Sequence, residues 1–503
     1  MLIIAWEIGG RAIVRFFREV RFERMYGKSE LRPNVVLVGA PDECDIIIRS
    51  LVRQTGDYGR IRAIVTDARR HKGGRMHGIR VFCDLDAIGK IMLEKNAEIL
   101  LIVPPFNSPK KVRRIVDSVS SYNIRCEYHV VPAIDDIALG RVDVSQIRRV
   151  EIEDLLNRKS YGIDVKRLEQ FVSKRRLMVT GAGGSIGSEI TRQLIGLAPK
   201  VLVLFEISEF ALFEIERELN AMGSDVDIIA ITGDVRKTSD IRTAIERAGG
   251  IDVVYHAAAY KHVDLMERNP FGCFENNVVG TAKLAEVSEE MGVEQFVLVS
   301  TDKAVRPTSL MGASKRLAEM FLIDRPKRGT QFRAVRFGNV LGSSGSVVPI
   351  FRKQIEEGGP VTVTSPDVTR FFMTIPEAAE LVLVAGAVGE DRRILVLEMG
   401  DPVKIVDLAR KMIELSGLVP DQDISIVFTG LKSGEKEFEE LLTDHENVVR
   451  TEVDRIWVVK KGDDDSRERL DIGELLEVLD EGDPQALREF VHSMISGSRL
   501  VKD

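Results

Sequence analysis

RLMVTGAGGSIGSEITRQLIGLAPKVLVLFE, residues 176–206, is the stretch from which the fold is read. Its apolar run Leu177 to Val179 suits a buried parallel strand. Thr180 ends that strand, and Gly181, Gly184 and Gly187 follow at three-residue spacing. Glycines so placed allow a tight turn, a close approach of backbone to a pyrophosphate, and close packing of the next helix on the sheet. A helix is predicted from about Ser185, through Ile186, to Leu197, with its unpaired N-terminal amides aimed at the phosphate. A second apolar run, Val201 to Phe205, ends in Glu206, about 20 residues past the glycines, where a carboxylate can hold a ribose 2′-hydroxyl. A glycine triplet alone would mean no more than a turn in an α/β fold. Strand, glycines, helix, strand and acid in register point to dinucleotide binding.

Downstream, Ile228 to Thr232 leads into Asp234 and Val235, and Val253 to His256 leads into Ala257, Ala258 and Ala259. Small or acidic residues thus follow strand ends, where doubly wound folds place ligands. Phe296 to Ser300 is the next predicted strand, and Thr301, Asp302 and Lys303 follow it directly. An Asp–Lys neighbour pair is often a solvated surface pair. On a strand end that faces a nicotinamide site it becomes a candidate catalytic cluster. Lys315, in the first turns of a helix predicted over Gly312 to Phe321, would lie alongside the cofactor.

A chain of 503 residues exceeds one hydrophobic core, and 44% apolar with 30% charged residues describes a globular protein. The net charge of -7 argues against a general nucleic-acid binder. Cys44, Cys83, Cys126 and Cys273 lie far apart, which suits reduced thiols and offers no metal site. There is no signal-peptide pattern, and no run reaches the roughly 18 apolar residues of a membrane span. In residues 1–30, Ile13, Phe16, Phe17 and Val20 lie at helical spacing among Arg11, Arg15, Arg18, Arg21 and Arg24. That basic amphipathic pattern suits an anionic membrane surface, and equally a helix whose stripe packs on the protein's own core.

The expected fold class is α/β, with two Rossmann-like, doubly wound parallel-sheet domains. Residues 31–144 form the first, with a strand Val35 to Val38 and a helix Asp42 to Gln54. Its turn reads GAPDEC, with Pro41 and Cys44 where further glycines would stand, so it is expected to lack a dinucleotide and to serve structure or regulation. A helical linker spans 145–175, the second domain 176–460, and a helical tail 461–503.

TGAGGSIG with its later acid, HAAAYKHV, ENNVVGT, STDKAVRPTSLMGASKRLAE, RFGNVLGSSGSVVPIF and GLKSGEKEFEELL together resemble the extended short-chain dehydrogenase/reductase superfamily. More closely, they resemble the long nucleotide-sugar 4,6-dehydratases of bacterial polysaccharide and glycan biosynthesis (capsule, O-antigen, protein glycosylation). The likeness spans roughly residues 31–460. It implies a smaller C-terminal substrate-binding subdomain, mainly after residue 340. Long members carry transmembrane helices ahead of the first α/β domain, so residues 1–30 look like the stub after them, at the cytoplasmic face of the membrane. A homo-oligomer is also implied.

The superfamily's Tyr-x-x-x-Lys pair would place tyrosine at residue 311, where this chain has Met311. Methionine is usual there in the long 4,6-dehydratases, so the departure points to them and away from epimerases. Glu206 suits a free 2′-hydroxyl, hence NAD over NADP. The implied substrate is UDP-N-acetylglucosamine, and the implied reaction has three stages: oxidation at C4, loss of water across C5 and C6, and reduction at C6. Lys303 is the implied base at C5, which requires a lowered pKa, and Asp302 the implied acid at C6, which requires a raised one. Thr301 would hold the C4 hydroxyl and Lys315 the nicotinamide ribose. Which group takes the C4 proton beside Met311 stays open. Lys261, Asn339, Ser343, Ser344 and Arg370 carry over as substrate contacts, Arg370 for the diphosphate. Glu435 and Glu439 are ribose contacts or solvated helix charges. The rival readings are a UDP-sugar 4-epimerase, a C5-inverting dehydratase, and a non-catalytic nucleotide-sensing scaffold.

Overall fold

The computed structural model describes residues 32–53, 59–131, 147–155, 165–443, 448–460, 470–495 and 500. The basic segment 1–30, residues 145–146 and 156–164 of the linker and the acidic turn Asp463 to Asp465 lie outside the described residues; the rest of the linker, expected to be helical, holds a short strand (Arg148–Arg149), a 3-10 turn (Ile152–Leu155) and a helix (Val165–Val172). No described helix is long and apolar enough to cross a membrane. The chain divides into two compact units. The first takes in the described residues up to 155 with 351–362 and 407–427, and the second takes in the remainder.

The first unit contains strands β1 (Asn34–Val38), β2 (Arg60–Val65), β3 (Arg75–Met76), β4 (Ile79–Phe82), β5 (Ile99–Ile102), β6 (Glu127–Val130) and β7 (Arg148–Arg149), in the order β3-β4-β2-β1-β5-β6-β7. The inner pairs are parallel and the two edge pairs antiparallel. Continuous apolar runs such as Val35 to Val38 build it, because a parallel sheet is covered on both faces. At the end of β1, a Cβ on Gly39 would fall 2.9 Å from that of Val103 and 3.0 Å from Cys44 Sγ. Cys44 is buried, and burial pushes its thiol up. Side chains of the unit itself therefore fill the turn where a pyrophosphate would need bare backbone.

In the second unit, β8 (Arg176–Thr180), β9 (Val201–Glu206), β10 (Asp227–Thr232), β11 (Val253–His256), β12 (Gln295–Val299), β13 (Gln331–Arg336), β14 (Arg393–Leu397), β15 (Val448–Arg450) and β16 (Ile456–Val459) form one sheet. Their order is β10-β9-β8-β11-β12-β13-β14-β16-β15. The first seven pair in parallel; β16 runs antiparallel to both β14 and β15. Successive side chains alternate between faces. Leu177, Val179, Leu202 and Leu204 enter one core with Ile190, Leu194 and Leu381 of the covering helices. Met178, Val203 and Phe205 enter the other with Ile241, Leu284 and Phe296. Both faces are thus dry, the condition for the doubly wound α/β fold. The region after 340, read from sequence as a substrate subdomain, also supplies three strands to this sheet.

Candidate active site

β8 and β11 are neighbours from which the later strands depart in opposite directions, so the crevice beyond their C-terminal ends is the switch point of the sheet. Gly181 turns there at φ +66°, and a Cβ on it would fall 2.7 Å from the Ala258 amide nitrogen. The glycine turn is therefore pressed directly on Ala257 and Ala258. The next helix, Ser185–Gly196, begins at Gly184 with no side chain capping it, leaving first-turn amides for an outside acceptor. Glu206 is buried; its Oε2 accepts the Gly183 amide, and its Oε1 accepts those of Ile207 and Ser208, all at 3.0 Å. The acid expected to meet a ribose also pins the glycine turn. On the adjacent strand end Asp234 is gripped by the Arg236 guanidinium, which holds its carboxyl below the usual range, and Val235 is buried beside it. Ala259 follows in the loop after β11.

Beneath this crevice runs a buried polar chain absent from the sequence reading. The Thr281 hydroxyl donates to the Asn277 carbonyl at 2.7 Å, so it accepts from His256 Nε2 at 2.9 Å. His256 Nδ1 then accepts from the Thr180 hydroxyl at 2.7 Å. Burial, with the Lys315 charge nearby, brings His256 down to about 3, so the ring stays neutral. Asn277 continues the chain to the Ser314 hydroxyl on the helix Leu310–Ile323, which carries Met311 and Lys315 one turn apart. Met311 is buried in an apolar cluster with Leu310, Leu317 and Phe274. Lys315 is 4% exposed, and burial brings it down to about 8, the Glu319 carboxylate and Cys273 thiol offsetting part of the effect. A buried amine, uncapped amides and a bare glycine turn at one switch point fit a nicotinamide dinucleotide.

At the end of β12, Thr301 donates to Asp302 Oδ1 at 2.9 Å, and Lys303 Nζ donates to the same oxygen at 3.0 Å. Lys303 also donates to Asn339 Oδ1 at 3.0 Å and lies 3.4 Å from Glu439 Oε1. Asp302 is fully buried, its Oδ2 has no hydrogen-bond partner, and burial raises its pKa. Lys303 is different. Burial pushes it down, but the Asp302 and Glu439 carboxylates outweigh that and hold it above its ordinary value. The lowered pKa expected of a waiting base is therefore not what these surroundings produce.

Arg370 is likewise differently employed. Its Nη1 donates to the carbonyls of Thr369 and Glu437, and its Nη2 to the Lys436 carbonyl and Glu435 Oε1. Nε faces Glu439 Oε1 at 3.8 Å, so the guanidinium expected on a diphosphate here clamps the segment 435–439. Glu435 adds bonds from Thr364 and the Lys432 amide. Glu439 is 3% exposed and so is no solvated helix charge. A cavity of about 300 Å³ opens among Lys303, Arg370, Glu435, Lys436 and Glu439. Ser344 leans on the helix Ser185–Gly196, its amide donating to Ser185 Oγ at 3.2 Å, while Ser343 is buried and bonded to the Val340 carbonyl. Lys261 is exposed in the loop after β11.

Neither Glu319 nor Lys436 stands out in the sequence. Glu319 is buried, taking both the Arg336 guanidinium and the Ser300 hydroxyl at the root of the cluster. Its only signal is a charged residue inside an apolar helix face.

We expect one dinucleotide per chain, held in the second unit and absent from the first, because only the second has the bare turn. Quantifying the nucleotide released on denaturation checks this, and two per chain would contradict it.

The family described as polysaccharide biosynthesis protein matches residues 177–461. The capsular polysaccharide biosynthesis protein CapD of Staphylococcus aureus is 39% identical over 442 residues, covering 87% of this chain and 72% of CapD. A UDP-glucose 4-epimerase of Rickettsia massiliae is 31% identical over 284 residues, 55% of this chain and 80% of the epimerase. An inverting UDP-N-acetylglucosamine 4,6-dehydratase of Campylobacter jejuni is 30% identical over 293 residues, 57% of this chain and 83% of the dehydratase. Identity alone does not separate the last two activities.

Proposed function

Because the chain belongs to the polysaccharide biosynthesis protein family, we propose that it is an NAD-dependent 4,6-dehydratase of a UDP-sugar. The substrate is UDP-N-acetylglucosamine and the product UDP-2-acetamido-2,6-dideoxy-α-D-xylo-hexos-4-ulose, with the C5 configuration retained. The observation that carries this reading is Asp302: a fully buried carboxyl, raised by burial, with one oxygen unpartnered. Elimination needs an acid to protonate a departing hydroxyl, whereas exchange of configuration at C4 does not. Met311, which cannot move a proton, also weighs against the epimerase reading.

The residues divide the work. The glycine turn, the first turn of Ser185–Gly196 and Glu206 would hold the dinucleotide, with Lys315 against its nicotinamide ribose. When bound, the nicotinamide supplies the oxidant for C4 and the reductant for C6. Asp302 gives its proton to the C6 hydroxyl, which leaves as water. Lys303 takes the C5 proton, made acidic by the C4 ketone, and returns one on the same face. Thr301, whose own proton is donated to Asp302, can accept from the C4 hydroxyl. The apolar packing around Met311 excludes water from that side.

Incubation with UDP-N-acetylglucosamine in D₂O, followed by NMR, tests the reading. The expected product has a C6 methyl group free of deuterium and one deuteron at C5. A product with C6 still hydroxylated and C4 inverted would establish the epimerase; unchanged substrate with bound dinucleotide would favour the scaffold. Proton couplings of fresh product in H₂O give the C5 configuration, and an L-arabino product at the earliest times overturns retention.

A further inference from the structure

The sequence offers Glu439 either as a ribose contact or as a solvated charge, and its surroundings suggest a different employment. Its carboxylate is buried, with Oε1 at 3.4 Å from Lys303 Nζ and 3.8 Å from Arg370 Nε, and with Oε2 unpartnered. The segment that carries it is tied down on both sides. Thr308 Oγ1 donates to the Gly434 carbonyl at 2.9 Å, Lys436 Nζ to the Val305 carbonyl at 2.7 Å, and Arg306 pairs with Glu440. With the Arg370 clamp, these contacts place one carboxylate at one point beside Lys303.

A lysine ammonium has three N–H donors and no acceptor. Around Lys303 there are three acceptors: Asp302 Oδ1 and Asn339 Oδ1, each at 3.0 Å, and Glu439 Oε1 at 3.4 Å. Every proton has a destination, and the nitrogen has no lone pair to offer. The titratable and charged groups facing it are Asp302 from its own strand end, Glu439 from the strapped segment, and the Arg370 and Lys436 cations beyond Glu439. Asn339 is neutral. Burial drives Glu439 up, but Lys303, Arg370 and Lys436 outweigh it, so Glu439 stays ionised.

We propose that Glu439 is a positioning residue for the dehydration, the group that retains the third proton of Lys303, and is not a contact to the nucleotide ribose. The inference rests on the dehydratase reading. Lys303 must release that proton before it can take one from C5, and the Glu439 charge determines the pH at which it does so.

Glu439→Gln keeps an oxygen beside Lys303 and removes the charge. An opposite charge at this range shifts a neighbour by about 1–3 pH units. In the full-length holoenzyme, the rising limb of kcat/KM against pH should therefore move down by about 1–3 units. The affinity for UDP should be unchanged. A second readout needs no turnover: competitive acetylation of Lys303 with acetic anhydride across pH, read by mass spectrometry. Its side chain, 20% exposed, faces the cavity and is reachable. The half-labelling pH should fall by the same amount. An unmoved labelling curve overturns the proposal, as does weaker UDP binding with an unmoved pH profile, the signature of a ribose contact. Shifted labelling in a protein without dehydratase activity would sink the functional reading and still support the hold on Lys303. If the glutamine variant does not fold, Glu439→Asp withdraws the charge by one methylene, and a labelling curve that fails to move in the same direction overturns the proposal.

Discussion

Asp302→Asn is expected to slow turnover by about 10²–10⁴-fold, the range for a positioned acid–base group, with the dinucleotide still bound. The substitution is conservative in the contacts that hold the cluster together. Thr301 and Lys303 both donate to Oδ1, and an amide oxygen accepts both bonds. What disappears is the ionisable oxygen Oδ2, buried and without a partner. Because burial raises Asp302, the proton it donates is retained to higher pH than in an ordinary carboxyl, and the asparagine variant has none at any pH. Single-turnover kinetics with bound nucleotide quantified gives the check. A rate within a few-fold of the parent protein removes Asp302 from the role of acid.

Gly184→Val and Gly187→Ala should fail in opposite ways. Gly184 has an extended backbone, φ −73° and ψ 167°, which valine adopts freely. A Cβ there meets only the Gly181 carbonyl oxygen, at 3.2 Å, a tight contact that a shift of a few tenths of an ångström relieves. On the dinucleotide reading a valine would stand where the pyrophosphate approaches. Gly184→Val should therefore fold with a melting temperature close to that of the dinucleotide-free parent and bind no dinucleotide. At Gly187 a Cβ would lie 2.0 Å from the Gly181 carbonyl oxygen, a contact internal to the fold. Gly187→Ala should cost about 1–3 kcal/mol of stability through overpacking. Thermal unfolding paired with nucleotide release separates the two. Loss of stability in Gly184→Val without ligand, or normal stability in Gly187→Ala, would contradict the assignment.

These two glycines also mark how far a linear reading reaches. Both are legible as a spacing, but which one serves the ligand and which the packing depends on Gly181 folding back over the helix start. The strands were legible for a simpler reason. A strand of a parallel sheet is a run of consecutive apolar residues, and Val201 to Phe205 or Val35 to Val38 carry that information within a few positions. The defect in GAPDEC was visible on the same terms, since proline and cysteine are read where glycines are missing.

The protonation of the cluster was not legible, because it is a property of neighbours brought from elsewhere in the chain. The base role that the resemblance implies for Lys303 requires a lowered pKa, and burial does act in that direction. The Asp302 carboxylate, and after it Glu439, which arrives from another element, outweigh burial and reverse the sign. Arg370 shows the same limit: a guanidinium suits phosphate oxygens, yet the carbonyls folded around it take its donors. By itself the sequence determined the two α/β sheets, the glycine turn and the strand end that bears the cluster, all of which rest on short-range patterns. Only the tertiary structure decided the charge on Lys303 and the employment of Arg370 and Glu439, because electrostatic energies depend on distances across the fold and on burial.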